Sequence, residues 1–109
     1  MDEHENVARL RLSASRAQEI IQERALDADN IVWSVHALER MDERGIYDID
    51  VLRILRKGFV DDDPEQTDLG EWKCKVTLNI KRGRTAGVVT IIMSRGELYV
   101  KTVEWEDSI

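Results

Sequence analysis

The sequence predicts an α+β domain in which two to three N-terminal helices pack on an antiparallel sheet of three to four strands. Two observations carry this. Up to Gly58 the apolar residues recur at helical spacing between residues that start and stop helices, whereas from Trp72 onward they alternate with polar ones. Between the halves lies Asp61-Asp62-Asp63-Pro64, a run that regular structure does not cross. Helices first and a strand meander afterwards give helices stacked on one sheet face. At 109 residues the chain makes one domain with a real core.

Residues 1–8 carry charge without an apolar period and are expected to be disordered, with the folded domain spanning 9–109. Ser13 reads as the cap of a first helix running to about Leu26, with Ala17, Ile20 and Ile21 near one face. Asp27 to Asn30 is a turn cluster, and Ile31-Val32-Trp33 a short extended lead-in with Trp33 buried. Ser34 can cap a second helix that Gly45 ends in the left-handed conformation. Its Ala37, Leu38 and Met41 form an apolar stripe suited to packing on a sheet.

Asp48 can cap a third helix, with Val51, Leu52, Ile54 and Leu55 inward and Gly58 closing it. Phe59-Val60 can begin a strand before the acidic run stops it. Trp72, Cys74, Val76, Leu78 and Ile80 alternate with Lys73, Lys75, Thr77, Asn79 and Lys81, the pattern of a half-buried strand with a lysine-bearing open face. Arg82-Gly83-Arg84 gives a tight hairpin. Ala86 to Ser94 is apolar on both sides, as in a strand covered by helices, and Leu98 to Trp105 forms the last strand.

Composition excludes several classes. The acidic start is unlike a signal peptide, no apolar run approaches a membrane span, and the lone Cys74 fits a reducing compartment, so a cytoplasmic protein without membrane contact is expected. No metal or cofactor is expected, since His4, His36 and Cys74 lack ligand spacing. A net charge of −6 argues against a nucleic-acid partner, but the charge is uneven. Between Gly70 and Lys101, seven cations (Lys73, Lys75, Lys81, Arg82, Arg84, Arg95, Lys101) face only Glu71 and Glu97.

The candidate chemistry sits on the second helix. His36, Arg40 and Arg44 recur at i, i+4 and i+8 and project from one side. Guanidinium forks fit phosphate oxygens, and an imidazole moves protons near neutral pH. The same spacing also fits an ordinary charged face, because Glu43 lies three residues after Arg40. The strand lysines likewise fit solubilising charges, and the tryptophans fit the core.

The run Ser34-Val35-His36-Ala37-x-x-Arg40-Met41-x-x-Arg44-Gly45-Ile46 resembles the signature of a small bacterial family of uncharacterised domains, similar to the MqsR and RelE toxins of the barnase–EndoU–colicin–RelE nuclease superfamily. The resemblance covers roughly Ser13 to Trp105. It implies a RelE-like fold, RNA as substrate, a cognate antitoxin protein as partner, and metal-independent cleavage of mRNA by the 2′-hydroxyl. Laid over these residues, the chemistry of such cleavage makes His36, Arg40 and Lys101 the candidate catalytic set, with Arg44, Lys73, Lys75 and Tyr99 as candidates for binding substrate. Two other readings compete. One is a catalytically silent RelE-like module gripping a protein or nucleic acid through its basic sheet face. The other is a small acidic domain whose charges only confer solubility.

Overall fold

The computed structural model describes residues 11–107, and the expectation of disorder over residues 1–8 lies outside them. Helix α1 (Ala14–Ala25) starts where Ser13 Oγ accepts from the Arg16 amide at 3.1 Å, and it buries Ala17, Ile21 and Ala25. A single 3₁₀ turn (Ala28–Asn30) then leads into strand β1 (Ile31–Trp33). Helix α2 (Val35–Arg44) runs between the Ser34 cap, whose hydroxyl accepts from Ala37 N at 2.9 Å, and Gly45 at φ +65°. Helix α3 (Asp48–Lys57) buries Val51, Ile54 and Leu55. Its cap is Tyr47, one residue before the expected Asp48. The Asp50 carboxylate reaches back to the Tyr47 amide at 2.9 Å, and Asp48 falls inside the first turn.

Strands β2 (Glu65–Gln66), β3 (Trp72–Lys81), β4 (Arg84–Ile92) and β5 (Leu98–Trp105) complete a sheet in the order β1-β5-β4-β3-β2. The expected meander β3-β4-β5 is antiparallel as the alternation predicts. The sheet is nevertheless five-stranded and mixed rather than antiparallel with three to four strands. Ile31–Trp33 lies parallel to Leu98–Val100, and Glu65–Gln66 pairs with Lys73 and Trp72. Ile31–Trp33 is extended as expected, but neither its pairing nor β2 is announced locally. The β1 partner lies 67 residues downstream in register (Ile31↔Leu98), and β2 is two polar residues after a proline. Phe59 makes one bridge, to Thr77, and no strand.

One sheet face carries Cys74, Val76, Ala86, Val88, Leu98, Val100 and Val103, which form a single core with α1, α2 and α3. Full burial of such aliphatic side chains is worth about 1.5–3 kcal/mol each. The opposite face follows from the register. One row crosses the whole sheet as Val32, Tyr99, Ile91, Lys73 and Glu65, a second reads Thr102, Val89 and Lys75, and a third Glu104, Gly87 and Thr77. Val89 and Ile91 on this face are only half-buried, in line with helices stacked on one sheet face and the other left partly open. Two details of α2 also differ. Leu38 is exposed, leaving Ala37 and Met41 as the packed stripe, and Trp33 is half-buried. No helix among the described residues is long and apolar enough to cross a membrane.

Candidate functional site

Helix α2 packs against β5, and Ser34 makes the junction. Its amide donates to the Val100 carbonyl at 3.2 Å while its hydroxyl donates to the Lys101 carbonyl at 3.0 Å. The same hydroxyl accepts from Ala37 N, so one side chain caps the helix and pins its first turn to the strand. Lys101 occupies an irregularity of β5. Val100 pairs with Thr90 and Thr102 with Val89, so Lys101 is the extra residue of a β-bulge. His36, two residues past Ser34, and Lys101 are both exposed. Tyr99, half-buried, lies two residues before Lys101 on the open face.

At the far end of α2, Trp105 Nε1 donates to the Arg44 carbonyl at 2.9 Å, fixing the helix along β5. Arg40 holds Glu43 through both carboxylate oxygens at 2.8 Å, and Arg44 lies 4.0 Å from the same carboxylate. The Trp105 ring is half-buried under the Arg84 guanidinium, 3.9 Å from its centroid.

The sheet lysines are arranged differently. Lys73 and Lys75 lie on β3, two strands from β5 and so about 10 Å away. Each has an acidic partner. Lys73 Nζ is 3.6 Å from Glu65, and Lys75 Nζ is 2.7 Å from Glu106 and 3.9 Å from Glu104. Gly87 makes the second contact possible. A Cβ there would lie 2.7 Å from Glu106 Oε2 and 3.1 Å from Lys75 Cδ, so the bare glycine leaves the path by which Lys75 crosses β4. The hydrogen bond to Glu106 holds the Lys75 ammonium above its ordinary pKa, opposed by desolvation and supported by the charges of Glu106, Glu104 and Asp62. The sheet face expected to be basic is therefore neutralised where β3 crosses it.

Of the seven cations from Lys73 to Lys101, Lys73, Lys75, Arg84 and Arg95 are paired with carboxylates, Arg84 to Asp107 and Arg95 to Glu97. Lys81, Arg82 and Lys101 have no carboxylate partner among the described residues. Sequence reasoning missed Glu65, Glu104 and Glu106 because each is set by cross-strand register. It also missed that Ser34 serves the strand as well as the helix. Cys74 is buried, its thiol pushed up to about 11 by burial, which makes it a core thiol rather than a nucleophile. Among the described residues no three His, Cys, Asp or Glu side chains are grouped to hold a metal ion. Two surface hollows among the described residues lie beside Leu12 and Trp72 and a third is lined by Asp62, Glu65, Lys73 and Lys75; none of the three is lined by His36, Arg40, Arg44 or Lys101.

Residues 33–105 match the family described as Domain of unknown function (DUF4258). The chain belongs to this family. The DUF4258 match begins at Trp33 and ends at Trp105, so it takes in α2, α3 and strands β2 to β5 and leaves α1 outside. His36, Arg40, Arg44, Lys73, Lys75, Tyr99 and Lys101 all fall within the DUF4258 portion. The family description names neither RelE nor MqsR and carries no activity with it. No match is found among curated proteins, and none among solved structures.

Proposed function

We propose that this domain is a metal-independent endoribonuclease of the RelE and MqsR kind, a toxin held inactive by a cognate antitoxin protein. The observation that carries the reading is the junction of α2 with β5. His36 and Lys101 are exposed and without a carboxylate partner among the described residues, and they flank Ser34, whose hydroxyl donates to the Lys101 carbonyl at 3.0 Å two residues before His36. Cleavage through the 2′-hydroxyl needs one group to take its proton, another to give one to the leaving 5′ oxygen, and positive charge where phosphorus gathers it. In this reading His36 takes the 2′-hydroxyl proton, the Lys101 ammonium gives one to the leaving 5′ oxygen, and the two arginines meet the charge gathered at phosphorus. Arg40 and Arg44 exchange Glu43 for phosphate oxygens when RNA arrives, which costs little because exposed ion pairs contribute at most about 1 kcal/mol. Lys73 and Lys75 act at a distance, as part of a nearly neutral wall rather than as direct phosphate ligands.

Induced expression in a bacterial host tests this reading. Growth is expected to stop while intact mRNA disappears, and co-expression of the antitoxin restores it. Unimpeded growth with full-length mRNA, at a verified level of folded protein, overturns the proposal.

A further inference from the structure

The turn between β3 and β4 has an unusual occupant. Lys81 pairs with Arg84, so the loop is only Arg82–Gly83, and both residues have positive φ, +46° and +80°. This is the conformation of a two-residue type I′ hairpin, where asparagine, aspartate or glycine normally stands first because other side chains strain against the backbone. Arg82 is the only residue other than glycine with positive φ among the described residues. An arginine at a position that disfavours it points to a use for its side chain, since such strain persists where the surroundings or a function demand it.

The surroundings agree. Lys81, Arg82 and Arg84 are exposed, and Arg53 of α3 donates to the Ile80 carbonyl at 2.6 Å, which adds a fourth guanidinium or ammonium group to this end. Arg84 is committed to Asp107 at 3.2 Å and to the Trp105 ring, whereas Lys81 and Arg82 have no carboxylate among the described residues. The tip is thus unlike the lysines of β3, which their glutamates neutralise. It is also linked to the far end of α2, eight residues and so about 12 Å along that helix from His36. Arg84 covers Trp105, and Trp105 holds the carbonyl of Arg44 at the end of the helix that begins beside His36.

We propose that the β3–β4 hairpin tip, through Lys81 and Arg82, binds the phosphate backbone of the RNA that is cut at the α2–β5 junction. The inference rests on the ribonuclease reading for its choice of ligand. Contacts of this kind carry no base information and show themselves in salt dependence, because each neutralised phosphate releases counterions.

The test is fluorescence anisotropy of a labelled single-stranded RNA across a salt series, with the His36→Ala protein as the parent so that the RNA stays whole. Arg82→Asn keeps a residue that tolerates the left-handed conformation and removes the charge. It is expected to melt at or above the parent temperature, to weaken binding for unrelated sequences alike, and to make the slope of log affinity against log salt shallower by about 0.7. Lys81→Gln with Arg82→Asn is expected to change it by about 1.4. An unchanged slope and affinity in the double variant overturns the hairpin contact, even if the wild type cuts RNA. A hairpin-dependent slope in a protein whose wild type never cuts RNA supports the contact and removes the ribonuclease instead.

Discussion

Gly58→Ala is expected to destabilise the domain by about 3 kcal/mol, the upper end of what overpacking costs, and to lower its melting temperature by roughly 10–20 °C. The glycine sits where α3 ends against β3. A Cβ there would meet the Ile54 carbonyl oxygen at 2.5 Å, the Val76 Cγ1 at 2.7 Å and the Thr77 carbonyl oxygen at 2.8 Å. Two of these three neighbours are backbone, so no side chain can swing aside to make room. The Gly58 amide also closes α3 on Ile54 at 2.7 Å, its carbonyl accepts from Gln22 at 3.3 Å, and Phe59 bridges to Thr77. Moving the backbone outward therefore disturbs α1, α3 and β3 together. The backbone conformation itself is ordinary, with φ −82°, so the cost is one of space rather than torsion. Thermal denaturation followed by circular dichroism reads it directly, and a melting point within a few degrees of wild type contradicts the packing described for this corner.

His36→Ala is expected to lower RNA cleavage by about 10²–10⁴-fold, the usual contribution of a positioned acid or base. The side chain is exposed on the first turn of α2 while Ala37 beside it carries the packing, so stability is expected to stay within about 0.5 kcal/mol of wild type. That separation makes the variant informative. The Ser34 bonds to Val100 and Lys101 go to main-chain carbonyls, so they survive this substitution and equally survive Lys101→Ala. Single-turnover cleavage of a labelled RNA measures the loss, with melting temperature as the control. Wild-type rates in the His36→Ala protein contradict the role given to the imidazole.

Helices were legible in the sequence because their signals are local. Ser13, Ser34 and Gly45 stand at the helix ends where they were expected, and the alternation from Trp72 to Lys81 predicts the face that Cys74 and Val76 bury. What escaped depends on partners far along the chain. Ile31–Trp33 is a strand only because Leu98–Val100 lies beside it, and Lys75 is neutralised only because Gly87 opens a path to Glu106. Tyr47 displaced Asp48 as the cap because Asp50 reaches back to the Tyr47 amide, a capping pattern without the usual short polar residue at its start. Leu38 read as core from hydropathy, yet the stripe facing β5 is only wide enough for Ala37 and Met41. The helix spacing of His36, Arg40 and Arg44 could be read directly, but the bulge at Lys101 and the second hydrogen bond of the capping serine could not, because both are set by strand pairing.

The proposed ribonuclease cuts RNA at the α2–β5 junction through the 2′-hydroxyl of the RNA itself. Incubating the purified domain in EDTA with a single-stranded RNA and with the same sequence in fully 2′-deoxy form tests it most directly. The account predicts fragments ending in a 2′,3′-cyclic phosphate from the RNA and an intact 2′-deoxy strand. RNA left whole, or both strands cut alike, contradicts it.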